Sequence, residues 1–360
     1  MIFSTVRKLM FHAPVLIKRS NLYPELAKGF FNTLVLRRDI MRYLEVQINT
    51  ECNSKCLMCY ATGMRKDGEH YLSVEEIKNF YRELRRGGVI SGIITGGEPS
   101  LRKDLIEILE ALEARKNLFA MTTNSISMNR RLLKELYNAG LCQINLSLNS
   151  LDPQQNDLER GYSGHFEKVM EVIAWSQEIG IPVGLSVLVT HQNIRIIEDF
   201  LKFCSDKKVQ FCPAWAISRG RWAGRHDVGL TGEDWRYLHK INRKYRCMRM
   251  DISTNYSCRT DCPGAKEKMY ITAYGDVSTC QLNPVSFGSI RKEPLGTIID
   301  RMRAIPSFKR INPYCVVSSD EEYVNDYIYP IADVTRLPVD IKDHPIMRKK
   351  GTPAEANSGK

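Results

Sequence analysis

Between residues 43 and 216, apolar runs of strand length alternate six times with amphipathic helical stretches, and this alternation narrows the fold more than any other feature. The runs are Leu44–Asn49, Val89–Thr95, Leu118–Thr122, Cys142–Leu148, Pro182–Val189 and Val209–Ala216. Between the first two, Ser73-Val-Glu-Glu76 predicts a capping box with Leu72 and Ile77 as a hydrophobic staple; Ile77, Phe80, Tyr81 and Leu84 then form one apolar face. Leu132, Leu133, Leu136 and Tyr137 precede Gly140, and Phe166, Val169, Met170 and Ile173 precede Gly180, each glycine a helix stop. Ile194, Ile197, Phe200 and Leu201 supply a further stripe. Strands apolar on both faces and separated by such helices predict a parallel sheet covered by helices, either doubly wound or closed toward a barrel. In both, chemistry gathers on loops at the carboxyl ends of strands.

The first such loop is Cys52-Asn-Ser-Lys-Cys56-Leu-Met-Cys59-Tyr60, directly after the run Leu44-Glu-Val-Gln-Ile-Asn49. Three thiols within eight residues can hold three corners of an iron–sulfur cluster, leaving one iron open to another ligand. A zinc knuckle is the alternative, but it wants a fourth ligand in its own spacing, and the nearest histidine is His70.

The chain of 360 residues is long enough for one large or two modest domains, and its 11 cysteines are too sparse for a disulfide scaffold. Their grouping suits metal or cluster ligation in a reducing, cytoplasmic compartment. No apolar run is long enough to span a membrane. The net charge of +11 has no Lys/Arg stripe interleaved with aromatics, which argues against nucleic acid. Residues 1–42 carry eight Lys/Arg against two Asp/Glu, in the alternating stretches Val6–Ala13 and Leu26–Arg38. This arm either packs over the main domain or lies peripherally on the inner face of an anionic membrane.

After the sixth run comes the basic loop Ser218-Arg-Gly-Arg-Trp-Ala-Gly-Arg225, then a helical pattern over Thr231–Arg246. Lys268–Cys280 predicts a hairpin turning at Tyr274-Gly275-Asp276. The expected organisation is an N-terminal arm (1–42), a strand–helix core (43–246), a small cysteine-bearing α+β domain (247–316) and an extension (317–360) that is disordered from Gly351 onward.

Taken with the cysteine loop, Thr95-Gly-Gly-Glu-Pro99 at the end of the second run resembles the radical S-adenosylmethionine (SAM) superfamily. The spacing of Cys52, Cys56 and Cys59, the aromatic Tyr60 after them, and Gly96-Gly97-Glu98 carry the resemblance, which covers about 170 residues. It implies a partial (β/α)6 TIM-like barrel. It also implies a [4Fe–4S] cluster on the three cysteines and SAM on the open iron, split by one electron to a 5′-deoxyadenosyl radical that abstracts hydrogen. The electron would come from a reducing partner such as a flavodoxin or ferredoxin. By the same likeness the glycines let backbone approach the cofactor's ammonium, and Glu98 holds the turn. Asn124 is a further cofactor contact, Ser147 and Asn149 face the ribose, and Arg160 pairs with the methionyl carboxylate.

Cys262, Gly275 and Cys280 match the spacing of the SPASM/twitch branch of that superfamily. With Cys258 upstream and Cys315 downstream they form four candidate ligands of a second [4Fe–4S] cluster, with Cys247 as a substitute for Cys258. A structural zinc on the same four is the alternative. With only Cys315 beyond Cys280, the chain resembles the shorter, two-cluster twitch form. Cys142, Cys204 and Cys212 lie in apolar runs and are expected as core thiols.

Gln281 stands where sulfatase-maturing relatives carry an acid, and the arm is short for a leader-peptide domain, so a peptide- or protein-modifying maturase is the second reading. The first is a dehydrogenase or epimerase acting on a small-molecule, glycan or lipid-linked substrate. Arg219, Arg221 and Arg225 would suit an anionic one, and Cys212 would be an epimerase's hydrogen donor. The reading from another class is a non-catalytic zinc or iron–sulfur protein.

Overall fold

The computed structural model describes residues 17–253 and 255–347. The expected helical stretch at Val6–Ala13 and the disordered end from Gly351 lie outside them. Six parallel strands run in sequence order: β1 (Tyr43–Gln47), β2 (Ser91–Thr95), β3 (Leu118–Thr123), β4 (Gln143–Ser147), β5 (Val183–Val189) and β6 (Gln210–Trp215). Consecutive order without reversal removes the switch point that a doubly wound sheet requires, so the architecture is a partial barrel. The expected capping box is formed: Ser73 Oγ accepts from Glu76 N (3.2 Å) and Glu76 Oε2 from Ser73 N (2.9 Å), opening a helix over Val74–Arg86. Gly140 (φ 105°) and Gly180 (φ 88°) end their helices in the left-handed conformation.

The strands are not apolar on both faces. Leu44, Val46 and Ile48 belong to the core beneath the helices, as do Ile144, Leu146, Leu185, Val187 and Phe211. The alternate residues, Glu45, Gln47, Asn145, Ser147, Ser186 and Cys212, are polar or small and turn inward. An open-sided barrel cannot fill its own lumen with aliphatic layers and keep a site there, so its alternation is apolar outside and polar inside.

The cysteine-bearing region does not stand apart from this sheet. β7 (Lys268–Ile271) adds in parallel to β1, and β8 (Val277–Ser278) returns antiparallel to it through the predicted turn at Gly275 (φ 93°). Beyond it, the C-terminal segment is held at both ends of its run. Tyr323 is fully buried with Asn283 Nδ2 donating to its hydroxyl (2.8 Å), and Leu337 N donates to Gly63 O (2.9 Å) just after the first cysteine loop. A short parallel pair, β9 (Val285–Ser286) with β10 (Val339–Asp340), ties the same two segments together. Among the described residues no helix is long and apolar enough to cross a membrane.

Candidate active site

The carboxyl ends of β1 to β6 surround a cavity of about 380 Å³. Cys52, Cys56, Cys59, Tyr60, Gly96, Gly97, Glu98, Asn124, Ser147, Asn149 and Arg160 all line it. Eleven residues spread over more than a hundred positions thus share one enclosure, because each follows the end of a parallel strand or caps the helix after it.

Glu98 organises the cavity wall. It is fully buried and accepts four hydrogen bonds, from Ser100 N (3.1 Å), Ser100 Oγ (2.6 Å), Thr123 Oγ1 (2.7 Å) and Asn124 N (2.7 Å). It therefore ties the end of β2 to the end of β3 and sets Asn124, whose Nδ2 reaches Asn53 Oδ1 (2.8 Å) and lies 3.6 Å from Cys52 Sγ. The two glycines before it serve the same junction. A Cβ on Gly96 would meet the Asn49 side chain at 2.1 Å, and one on Gly97 the Glu51 carbonyl oxygen at 2.2 Å. A close approach to the chain leaving β1 thus demands glycine at both positions, while both also line the cavity.

Arg160 ends the helix Pro153–Arg160, makes no ion pair among the described residues, and keeps its buried Nε without a partner. A cavity wall that buries an unpaired guanidinium edge fits an anionic ligand group. Ser54 Oγ donates to the Arg160 carbonyl (2.6 Å), fastening this helix to the cysteine loop. Asn149 Nδ2 points at Met58 Sδ (3.4 Å) on that loop.

The basic loop after β6 packs against this scaffold. Gly220 (φ 63°) lies against Cys59, where a Cβ would meet the Cys59 carbonyl oxygen at 2.2 Å. Arg221 donates to the carbonyls of Lys55 (2.8 Å) and Cys56 (2.9 Å), and Arg225 pairs with Asp227 (2.7 Å). Arg219 is 4% exposed; its Nη1 donates to the carbonyls of Gln281 (3.1 Å) and Leu282 (3.2 Å).

Of the C-terminal cysteines, Cys280 and Cys315 are buried and Cys262 half-buried, and the three act electrostatically on one another. Burial pushes the Cys280 thiol up to about 12 and the Cys315 thiol higher. Cys258 is half-buried; burial raises its thiol, Glu267 adds to that, and its backbone is left-handed (φ 54°). Cys247 does not replace it. Its sulfur lies against Ser205 Oγ (3.4 Å) and Leu201 O (3.5 Å), on the outer face of the barrel, because the residues after the helix Gly232–Lys244 run back beside β6. Neither set is drawn tight, and among the described residues no three His, Cys, Asp or Glu side chains are close enough to share one metal ion.

A part-buried bridge joins the two cysteine sets. Tyr60, next to Cys59, donates its hydroxyl to Gln281 Oε1 (3.0 Å), next to Cys280. Gln281 N donates to Glu45 Oε2 (2.7 Å), and Glu45 pairs with Lys268 (3.2 Å), which also pairs with Asp251 (2.7 Å). Burial works against the Lys268 ammonium, yet Asp251 and Glu45 hold its pKa well above that of a free lysine. Arg219 lies alongside, 5.9 Å from the Tyr60 ring centre, with Nε and Nη2 buried and unpartnered.

Glu45 and Lys268 also belong to a second chamber of about 140 Å³ deeper in the lumen, which shares Thr122, Ser186, Ala214 and Gln281 with the cavity. Arg249, Asn145 and Cys212 line it. Cys212 is therefore not a core thiol: it stands 3.9 Å from Asn145 Oδ1 and from Gln143 Nε2, and burial pushes it up to about 11. Arg249, Ser186 and Asn145 were not anticipated; the period-two alternation of polar residues along β4 and β5 is the signal that would have found the last two.

A family model for the radical SAM superfamily matches residues 46–204, and one for an iron–sulfur cluster-binding domain, SPASM, matches residues 258–320. A GTP 3′,8-cyclase from Listeria welshimeri is 32% identical over 205 residues, covering 54% of this chain and 57% of that protein. An Fe-coproporphyrin III synthase from Methanosarcina barkeri is 31% identical over 186 residues, 51% of this chain and 46% of that one. The chain thus spans about half the length of these relatives. Among solved structures, Streptococcus suis SuiB bound to the precursor peptide SuiA shares the fold, with a TM-score of 0.58 at 20% identity, over 81% of this chain and 70% of that one. The structure of anSMEcpe with bound SAM does so at 0.56 and 14%, over 75% and 84%. The cofactors are SAM and [4Fe–4S] clusters, and the donors present fit them: three thiols beside an unpaired guanidinium in one cavity, and a second set of two buried thiols and a half-buried one. The chain belongs to the radical SAM superfamily, with a SPASM-type iron–sulfur domain following its barrel.

Proposed function

We propose that this radical SAM enzyme takes a hydrogen atom from a small polar substrate held in the lumen chamber, and that Cys212 returns one to the opposite face, so that the net reaction is epimerisation. The observation that carries this reading is the continuity of the SAM-sized cavity with a chamber that contains a neutral thiol. When bound, SAM and its cluster supply the radical that abstracts hydrogen. Cys52, Cys56 and Cys59 hold the cluster, Arg160 takes the cofactor's carboxylate, and Ser147 and Asn149 face its ribose. Asn145 and Ser186 offer hydrogen-bonding groups to the substrate, and Arg249 a cation for an anionic one. A thiol pushed up to about 11 stays protonated at neutral pH, as a hydrogen-atom donor must. After donation the Cys212 sulfur regains one electron and one proton. The enclosed Cys262, Cys280 and Cys315, with Cys258 as the fourth ligand of the twitch pattern, hold the auxiliary cluster that relays this electron from the external reductant.

Turnover in D2O with a panel of sugars, amino acids and their phosphate esters tests it. The expected product carries one deuterium at the inverted carbon, and Cys212→Ala stops inversion while 5′-deoxyadenosine still forms. An oxidised product with no deuterium, unaffected by Cys212→Ala, makes the enzyme a dehydrogenase. The second reading is a nucleotide cyclase, favoured by the GTP 3′,8-cyclase relatives and by the Arg249 guanidinium in the chamber. GTP-dependent formation of 5′-deoxyadenosine would establish it.

A further inference from the structure

Six of the fourteen large apolar side chains exposed on the described surface fall between Ile17 and Leu36. They belong to the N-terminal helix α1 (Tyr23–Leu34) and its two flanks. One face of α1 is sealed onto the domain. Leu22 is fully buried, Gly29 lies against the Tyr256 ring, Phe30 meets that ring edge-on at 5.0 Å, and Glu25 pairs with Arg85 (3.3 Å). Arg19, just before the helix, donates to the carbonyls of Asn117 (2.6 Å) and Gly140 (2.8 Å) and so pins the approach.

The opposite face has the spacing of a continuous stripe: Tyr23, Ala27, Phe31, Leu34 and Val35, three or four residues apart or adjacent. Phe31, Leu34 and Val35 are 53%, 53% and 61% exposed. Lys18, Lys28, Arg37 and Arg38 are exposed around it, and none of the four forms an ion pair among the described residues. The acid within the helix, Glu25, is turned inward and already neutralised by Arg85. A folded surface leaves so large an apolar stripe bare only where something covers it, and a rim of uncompensated cations selects what that is.

We propose that this face docks the enzyme on an anionic lipid bilayer, with Phe31, Leu34 and Val35 in the headgroup–acyl boundary and the four basic residues on the phosphates. A protein groove would want the apolar stripe but not an unpaired cationic rim. The inference is independent of the reaction proposed above, since none of these side chains lines the cavity or the lumen chamber.

Co-sedimentation of the full-length protein with vesicles tests it. Phosphatidylcholine vesicles with about one third phosphatidylglycerol should bind it at low salt. Pure phosphatidylcholine, or the mixed vesicles at high salt, should bind it about tenfold more weakly or worse. Phe31→Glu with Val35→Glu, and separately Arg37→Glu with Arg38→Glu, should each lower binding about tenfold while circular dichroism and SAM cleavage by a chemical reductant stay unchanged. Equal binding to both vesicle types, no binding to either, or wild-type binding by the charge-reversed variant overturns the proposal. So does a dimer in solution that Phe31→Glu converts to monomer, which would assign the stripe to a second copy of the chain.

Discussion

Cys52, Cys56 and Cys59 sit on a loop at the mouth of a cavity, with the first of them exposed and an unpaired guanidinium edge nearby. Cys280 and Cys315 are instead buried, with Cys262 half-buried beside them, and burial, with the neighbouring thiols adding to it, drives the two buried thiols up. The contrast is what the proposed division of labour requires. A cluster that receives a ligand needs an approach and unsatisfied partners for that ligand; a cluster that only passes electrons is better insulated from water. The hydrogen bond from Tyr60 to Gln281 links the two regions.

The largest expected effect breaks the comparison outright. Replacing Cys52, Cys56 and Cys59 together by alanine should abolish 5′-deoxyadenosine formation, by more than about a thousandfold, and lower iron from about eight to about four per chain. Replacing Cys280 and Cys315 should lower iron equally but leave SAM cleavage by a chemical reductant within about tenfold of the original.

Arg219→Met tests the bridge. It removes a buried cation and leaves the Gln281 and Leu282 carbonyls without their donor, which should cost about 2–3 kcal/mol in chemical denaturation. With that positive charge gone, both clusters should become harder to reduce, seen as lower midpoint potentials in an EPR titration. A variant of unchanged potentials would detach Arg219 from both sites. Glu98→Gln sharpens the first site alone. It trades a charged acceptor of four bonds for a neutral one, expected to weaken SAM binding about tenfold in equilibrium dialysis and leave the auxiliary signal intact.

How much of this was legible beforehand can be judged residue by residue. Ser73, Gly140, Gly180 and the Gly275 turn are local signals, and the structure places each where short-range chemistry requires. The cysteine loop and Gly96-Gly97-Glu98 were legible because their function fixes close spacings. The parallel pairing of Tyr43–Val46 with Lys268–Ile271 was not, since nothing local records a partner more than two hundred residues away. The lumen was misread for a different reason. Glu45-Val-Gln-Ile-Asn49 shows the alternation openly, but in β5 and β6 the inward positions are Gly184, Ser186, Cys212 and Ala214, small enough to pass for apolar strand. Arg219 and Arg221 of the basic loop looked free because backbone carbonyls, which no sequence displays as acceptors, are their partners.

The smallest effect concerns the seam between the two regions on the outer surface. Arg291, after β9, donates to both oxygens of Glu76 (2.7 and 3.1 Å) at the start of the helix Val74–Arg86. The Arg291 hydrogen bonds hold the Glu76 carboxyl at about 2, below its ordinary 4.5. A depressed carboxylate stabilises the fold fully above its unfolded pKa, and that contribution fades as pH falls from about 4.5 toward 2. Because the pair is half exposed, Glu76→Gln should cost no more than about 1 kcal/mol at neutral pH. The difference in unfolding midpoint from the original should shrink across that acid window, and a difference independent of pH would remove the ion pair from the account.

The division of labour between the two cysteine sets is tested most directly by EPR of the reduced, anaerobically reconstituted protein with and without SAM. Two cluster signals should be present, of which one shifts on adding SAM and disappears in the Cys52/Cys56/Cys59 triple variant, while the other is unmoved by SAM and disappears in Cys280→Ala/Cys315→Ala. A shift of both signals, or of the one that survives the triple replacement, would contradict it.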